Sequence, residues 1–271
     1  MAYRMLALDM DGTLLNSEKA VSPATWEALI ALEEAGVRLA LCTGRNPVEA
    51  LYSLKGSCGP IHYGSLISGA LAYDFTEKRA IAKHTIDPDI ACQIIQAADD
   101  EQAMTDILAT DACICRKWEC DHMDLFHMGV YQEMYESICT FEDDLEGYVR
   151  SHPYSIAKVN AYHRTPESRS RTRARIEKLP LELADAEATS LECSGQGISK
   201  AKGLSALCSY LGITMDEVVA IGDAPNDLVA LEAVGCAVAM GNAFPVVKEH
   251  ADLVVADNDH DGIVEAIGKL F

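Results

Sequence analysis

Four short apolar runs, "MLAL", "VRLALC", "EVVAIG" and "CAVAM", each stop at a polar cluster, and helical spacing follows each of them. Runs this short and apolar suit strands buried on both faces, and helices between them imply parallel crossovers. The helix signals are local. Ser22 followed by Pro23 opens one helix, Trp26, Leu29, Ile30 and Leu32 continue it, and Gly36 closes it. "SKAKGLSALCSYLG" is a helix closed by Gly212, "PNDLVALEAVG" is another, and a last one starts at Gly262. The pattern predicts an α/β fold with a Rossmann-like, doubly wound parallel sheet. The middle of the chain differs in texture. It has a helix from Asp87, a charged helix near Pro166 to Leu179, and strand candidates "AMTDILAT", "YSIAKVNAYH" and "LELADAEA". It reads as an α+β domain over residues 84–189, inserted into a core formed by residues 1–83 and 190–271.

The chemistry lies where the apolar runs end. Ligands of doubly wound sheets bind at the carboxyl ends of the strands. Here those ends carry Asp9 and Asp11, Thr43-Gly44-Arg45, Asp223 with Asn226 and Asp227, and Gly241-Asn242. Each alone could be ordinary turn chemistry; four along one sheet edge point to a site. Asp9, Asp11, Asp223 and Asp227 would share one crevice, where two like charges 4 Å apart repel by about 4 kcal/mol at an effective dielectric of 20. A cation relieves that repulsion, and an all-oxygen ligand set favours a hard ion such as Mg²⁺. Together with donors at Gly12, Thr43 and Gly44, the set describes a phosphoryl-transfer site.

Composition narrows the partners. With 22 Lys+Arg against 42 Asp+Glu, the net charge of −20 repels nucleic acid and anionic lipid. The most apolar late stretch, Ala233 to Val247, is broken by Gly235, Gly241, Asn242 and Pro245, short of the roughly 20 apolar residues of a membrane helix. No secretory signal opens the sequence, and ten cysteines follow no regular framework. The expectation is a cytoplasmic protein with reduced thiols and a small-molecule partner, without membrane or nucleic acid.

"LDMDGTLL", "LCTGR", "GISKAKGL" and "IGDAPNDLVAL" resemble, in order and spacing, the four motifs of the haloacid dehalogenase superfamily. The tail "AVAMGNAFPVVKEHADLVVADNDHDGI" is similar to the Cof-type phosphatases. The resemblance implies a Mg²⁺-dependent phosphatase acting on a small phosphorylated metabolite through an aspartyl-phosphate. Asp9 would be the nucleophile and Asp11 the general acid/base. Thr43 and Lys200 would hold phosphate oxygens, with Lys202 a nearby rival of Lys200. The metal would take the Asp9 side chain, the Asp11 carbonyl and Asp223, with Asp227 a ligand or just outside. Asn226 and Asn242 would position the substrate, and Gly12 would let phosphate approach the backbone. Between Asp9 and Thr43 there is room for one helix and one strand; between Thr43 and Lys200 there is room for a domain. That matches the α/β cap of the Cof-type enzymes, which sets substrate specificity.

The chain departs from the family at Ser68-Gly69-Ala70, where Asn-Gly-Ala is usual. The insert also carries "CICRKWECDHMDLFH", with Cys113, Cys115, Cys120, His122 and His127 in no common zinc spacing. Arg45, Arg116 and Lys117 are candidate substrate contacts, and the basic segment "ESRSRTRARIEK" reads as a solvated helix face. Two alternatives stay open: a phosphometabolite-binding protein without turnover, and a phosphotransferase to a sugar acceptor.

Overall fold

The computed structural model describes residues 3–271. Its fourteen strands, in chain order, are β1 (Met5–Leu8), β2 (Arg38–Cys42), β3 (Tyr63–Leu66), β4 (Leu71–Asp74), β5 (Arg79–Lys83), β6 (Met104–Ala109), β7 (Cys113–Cys115), β8 (Cys139–Phe141), β9 (Ile156–Tyr162), β10 (Leu181–Asp185), β11 (Ser190–Gly195), β12 (Val218–Gly222), β13 (Cys236–Ala239) and β14 (Leu253–Val254). They form two sheets in two units. One unit comprises the chain up to Gly44, Ser53–Ala82 and Ser199–Phe271, and the other comprises Arg45–Tyr52 and Lys83–Ile198.

The first unit is the α/β fold that the apolar runs predict. Its strand order is β14-β13-β12-β1-β2-β3-β4-β5. Neighbours from β14 to β3 run parallel, and β4 turns back antiparallel to β3. Every residue of β1 is fully buried, as a central strand covered on both faces requires. On one face Met5, Ala7 and Ala220 pack with Leu204 and Leu207 of the helix Lys200–Leu211. Ser22 caps the helix Pro23–Glu34 by accepting from the Thr25 amide, and Gly212 ends Lys200–Leu211 in the left-handed region. One expected helix is shorter: "PNDLVALEAVG" forms a 3-10 turn at Pro225–Asp227 and a single α turn at Leu228–Leu231. The Asp227 carboxylate bends back onto the Asp223 and Ala224 amides and tightens the start.

The second unit is an α+β layer pair. Its sheet runs β10-β11-β9-β6-β7-β8, antiparallel except for β7 beside β8. Ile107, Val159, Leu191 and Cys193 line one face and pack against Ile94, Ile95, Val149 and Ile176 from three helices. Ser190–Gly195 is a strand of this sheet, although the sequence boundary at residue 190 assigns it to the core. Residues 45–52 also group here; the Asn46 amide donates to the Ala112 carbonyl at 2.9 Å. The basic helix Pro166–Ile176 is a surface helix tied down by acids: Arg171 reaches Glu101, Arg173 reaches Asp185, and Arg175 reaches Asp100.

Close approach fixes where Lys200–Leu211 sits. A Cβ at Gly203 would lie 2.1 Å from Ser65 Oγ and 2.9 Å from the Gly69 Cα. Ser65 cannot swing aside freely, because its hydroxyl donates to the Lys200 carbonyl at 3.1 Å. Alanine gains about 1 kcal/mol of helix propensity, while overpacking costs about 1–3 kcal/mol and a lost hydrogen bond about 1 kcal/mol. Sterics therefore win: Gly203→Ala lowers stability by roughly 1–3 kcal/mol in denaturant titration, and a stabilised variant would contradict this packing.

Candidate active site

The first unit gathers its polar groups at the carboxyl ends of β1, β2 and β12. Asp9 follows β1 directly and is 7% exposed. Lys200, at the first turn of its helix, is 3% exposed and donates to Asp9 Oδ1 at 2.6 Å and to Asp227 Oδ1 at 2.5 Å. A lysine at a helix N-terminus works against the dipole, and these two carboxylates supply the compensation. Lys202 is exposed on the same helix, so the buried ammonium belongs to Lys200.

Each carboxylate has a distinct set of partners. Asp227 uses both oxygens, one for Lys200 and one for the Asp223 and Ala224 amides at 3.1 and 3.0 Å. Asp223 Oδ1 accepts from the Thr13 hydroxyl at 2.8 Å. Among the described residues, Asp9 Oδ2 and Asp223 Oδ2 accept no hydrogen bond. One oxygen of each of Asp9, Asp223 and Asp227 falls within 4.8 Å of the others, a grouping able to hold a metal ion. Three negative charges against one ammonium leave two uncompensated, which one divalent cation neutralises. The donor set is all oxygen, as a hard cation prefers.

Electrostatics records the crowding. Burial, with Asp227 and Asp223 nearby, raises Asp9 to about 8 despite the pull of Lys200. Burial raises Asp223 to about 6, opposed by the Thr13 hydrogen bond. Burial alone would lower Lys200, but Asp227 and Asp9 outweigh it and hold the lysine well above its usual range, fully charged.

The remaining candidates are placed as follows. The Asp11 side chain is not part of the metal-competent trio; it is partly exposed and pairs with Lys19 at 3.1 Å, and its charge still acts on Asp223. Thr43 is buried, its amide bonded to the Ser65 carbonyl at 3.0 Å. The Gly12 and Gly44 amides make no hydrogen bond among the described residues. Gly12 has φ +79°, and its missing Cβ would lie 2.5 Å from Asp223 Oδ2. A side chain at residue 12 would therefore collide with the Asp223 carboxylate, which packs against the loop only because the residue is glycine. Asn242 donates to the Gly12 carbonyl at 2.8 Å, so its amide braces the β1 loop. Asn226 is exposed, with no side-chain hydrogen bond among the described residues. Ser68 stands at φ 55° beside Ile67 at φ 52°, a strained turn whose Ser68 amide donates to the Thr43 carbonyl at 3.0 Å. The usual asparagine would favour that conformation more than serine does.

In the second unit, Arg45 donates to Met134 Sδ at 3.3 Å. Arg116 is tied to Asp99 and Glu119 at 2.7 Å each, and Lys117 to Asp121. Neither Arg116 nor Lys117 presents a spare charge to a substrate. The cysteine–histidine segment forms no metal cluster among the described residues. Cys113, Cys115 and Cys120 are buried, His122 stacks on Trp118, and His127 bonds the Arg164 carbonyl.

The profile of the haloacid dehalogenase-like hydrolases matches residues 6–267. The chain belongs to this family. It is 28% identical to the stress response protein YhaX of Bacillus subtilis, covering 100% of this chain and 94% of that one. It is 29% identical to the pyridoxal phosphate phosphatase YbhA of Escherichia coli, with 98% of each chain covered. A haloacid dehalogenase-like hydrolase structure from B. subtilis superposes with a TM-score of 0.85 at 25% identity, covering 99% of this chain and all of that one.

The charge balance gives a pH test. An acid with a raised folded-state value binds its proton more tightly folded than unfolded, so stability falls as pH rises between the two values. For Asp223 that window runs from the ordinary 3.8 to about 6. In chelator-treated protein, Asp223→Asn therefore gains stability relative to the parent between pH 4 and 6 and holds that gain above, as followed by thermal melts. A parent that gains on the variant over this window would contradict the assignment.

Proposed function

We propose that this chain is a Mg²⁺-dependent phosphatase that hydrolyses a small phosphorylated metabolite through a phosphoryl group carried on Asp9. One observation carries the reading: Asp9 is held by Lys200 through one oxygen while the other accepts no hydrogen bond among the described residues, and Asp9 groups with Asp223 and Asp227 closely enough to share a metal ion. The phosphatase name of the E. coli relative supports the reaction class.

In this mechanism Asp9 Oδ2 attacks phosphorus, and the bond from phosphorus to the leaving oxygen breaks as Asp11 protonates that oxygen. Asp11 then takes a proton from water, which attacks the same phosphorus. The Asp9–phosphorus bond breaks and inorganic phosphate leaves. Asp11 must first release Lys19, and an exposed ion pair costs only about 0–1 kcal/mol to open. The Gly12 and Gly44 amides, the Thr43 hydroxyl and the Lys200 ammonium would hold the phosphate oxygens. Asp227 positions Lys200 and the β12 loop rather than touching substrate. Bound Mg²⁺, held by Asp9, the Asp11 carbonyl and Asp223, would supply charge neutralisation at the phosphate. Thr13 orients Asp223 for that purpose.

Two predictions test the roles. Asp9→Asn abolishes hydrolysis of an aryl phosphate in a steady-state assay, and EDTA does so reversibly, with Mg²⁺ restoring the rate; a fully active variant would sink the mechanism. Asp11→Asn lowers kcat by about 10²–10⁴-fold, the usual contribution of a general acid/base, with KM little changed. An equal loss for Lys19→Ala would instead mean that the ion pair matters for folding.

A further inference from the structure

The second unit contains a cavity of about 510 Å³ lined by Asp99, Arg116, Trp118, Glu119, Phe126 and Arg164, among others. That volume suits a small-molecule ligand. It sits where β6 begins and β9 ends, since Met104 faces Tyr162 in the register. The chain enters the unit at the opposite end of β9, where the Ile86 amide bonds the Ile156 carbonyl. None of the lining residues belongs to the unit that carries Asp9.

Three features of the cavity point to one class of ligand. The first is an unpaired cation. Of the seven arginines between Arg116 and Arg175, six meet a carboxylate. Arg164 meets none among the described residues. Its guanidinium lies over the buried Phe126 ring, 5.5 Å from the centroid. That contact is within cation–π reach and uses none of the N–H donors, which can meet a carboxylate or phosphate in fork geometry. The second feature is an exposed indole. Trp118 is 53% exposed, with His122 stacked on one face at 4.5 Å. The third is that both acids in the lining, Asp99 and Glu119, already pair with Arg116, and Glu119 also accepts from the Thr105 amide at 3.0 Å. In a chain of net charge −20, this lining carries two guanidiniums, Arg116 and Arg164, against two carboxylates, Asp99 and Glu119. Arg164 is the one that no acid engages among the described residues, so an anion settles here more readily than on the acidic surface at large.

We propose that this cavity binds a small molecule with a planar ring that bears one carboxylate or phosphate, the ring against Trp118 and the anion on Arg164. The site needs nothing from the chemistry at Asp9. Occupancy is read directly, because the chain has two tryptophans and only Trp118 lies in this unit. Two probes separate the anion sources: nicotinate for a ring carboxylate, and adenosine monophosphate in the presence of EDTA for a ring-bearing phosphate. We expect saturable quenching of tryptophan emission by at least one probe, lost in Trp118→Phe. We also expect Arg164→Gln to weaken binding at least about ten-fold by calorimetry, and Arg164→Lys, which keeps charge without the fork, to fall between. Circular dichroism checks that each variant is folded. The proposal is overturned by purely linear quenching with both probes up to about 10 mM. It is equally overturned if folded Arg164→Gln and Arg164→Lys bind the probe as the parent does.

Discussion

A single ammonium organises the first unit. Lys200 Nζ sits between Asp9 and Asp227, fully buried, and joins three elements far apart in the sequence: the end of β1, the β12 loop and the start of the helix Lys200–Leu211. A buried charge persists only when paired, and here two carboxylates pair with it while a third, Asp223, stands beside them. The arrangement carries excess negative charge, which is unfavourable to the fold and useful to chemistry that needs a divalent cation. Small residues make it geometrically possible. Gly12 leaves room for Asp223, and a Cβ on Gly69 would lie 1.8 Å from the Ser199 carbonyl at the head of the Lys200 helix.

The second unit follows a different logic. Its sheet buries one face under helices and carries polar groups on the alternate positions. Asp106 is buried, accepts from the Tyr135 hydroxyl, and is raised by burial to about 7. Its other oxygen has no partner, and neither has Asn160 Oδ1 on the paired position of β9. A proton on Asp106 would let it donate to such a neighbour, as buried acceptors require. The unit also builds its own cavity, with arginines already committed to acids except at Arg164.

Much of this was legible in the sequence. An apolar run ending in acid marks a buried strand that stops at solvent, and Asp9, Asp223 and Asp227 are found by that rule because period and polarity change at one residue. The rest depended on contacts that no local pattern encodes. Thr13 is an ordinary turn residue until Asp223, more than two hundred positions away, arrives at its hydroxyl. Gly12 reads as room for a ligand, and no local pattern shows that it also makes room for the Asp223 carboxylate. Strands β7 and β8 have three residues each, too few to show a period. Arg116 reads as a free cation because Asp99 lies on another element. The "PNDLVALEAVG" segment reads as one helix, whereas it begins as a 3-10 turn capped by the Asp227 side chain and its α turn stops at Leu231.

The most direct test of the proposed chemistry is capture of the covalent intermediate. Slowing water attack with Asp11→Asn, quenching in acid during turnover of an aryl phosphate, and mapping peptides by mass spectrometry reads where the phosphoryl group resides. The account predicts one added phosphoryl group on the peptide that contains Asp9, absent when Asp9→Asn is combined with Asp11→Asn. Phosphate release by the parent with the phosphoryl group found on another residue would contradict it.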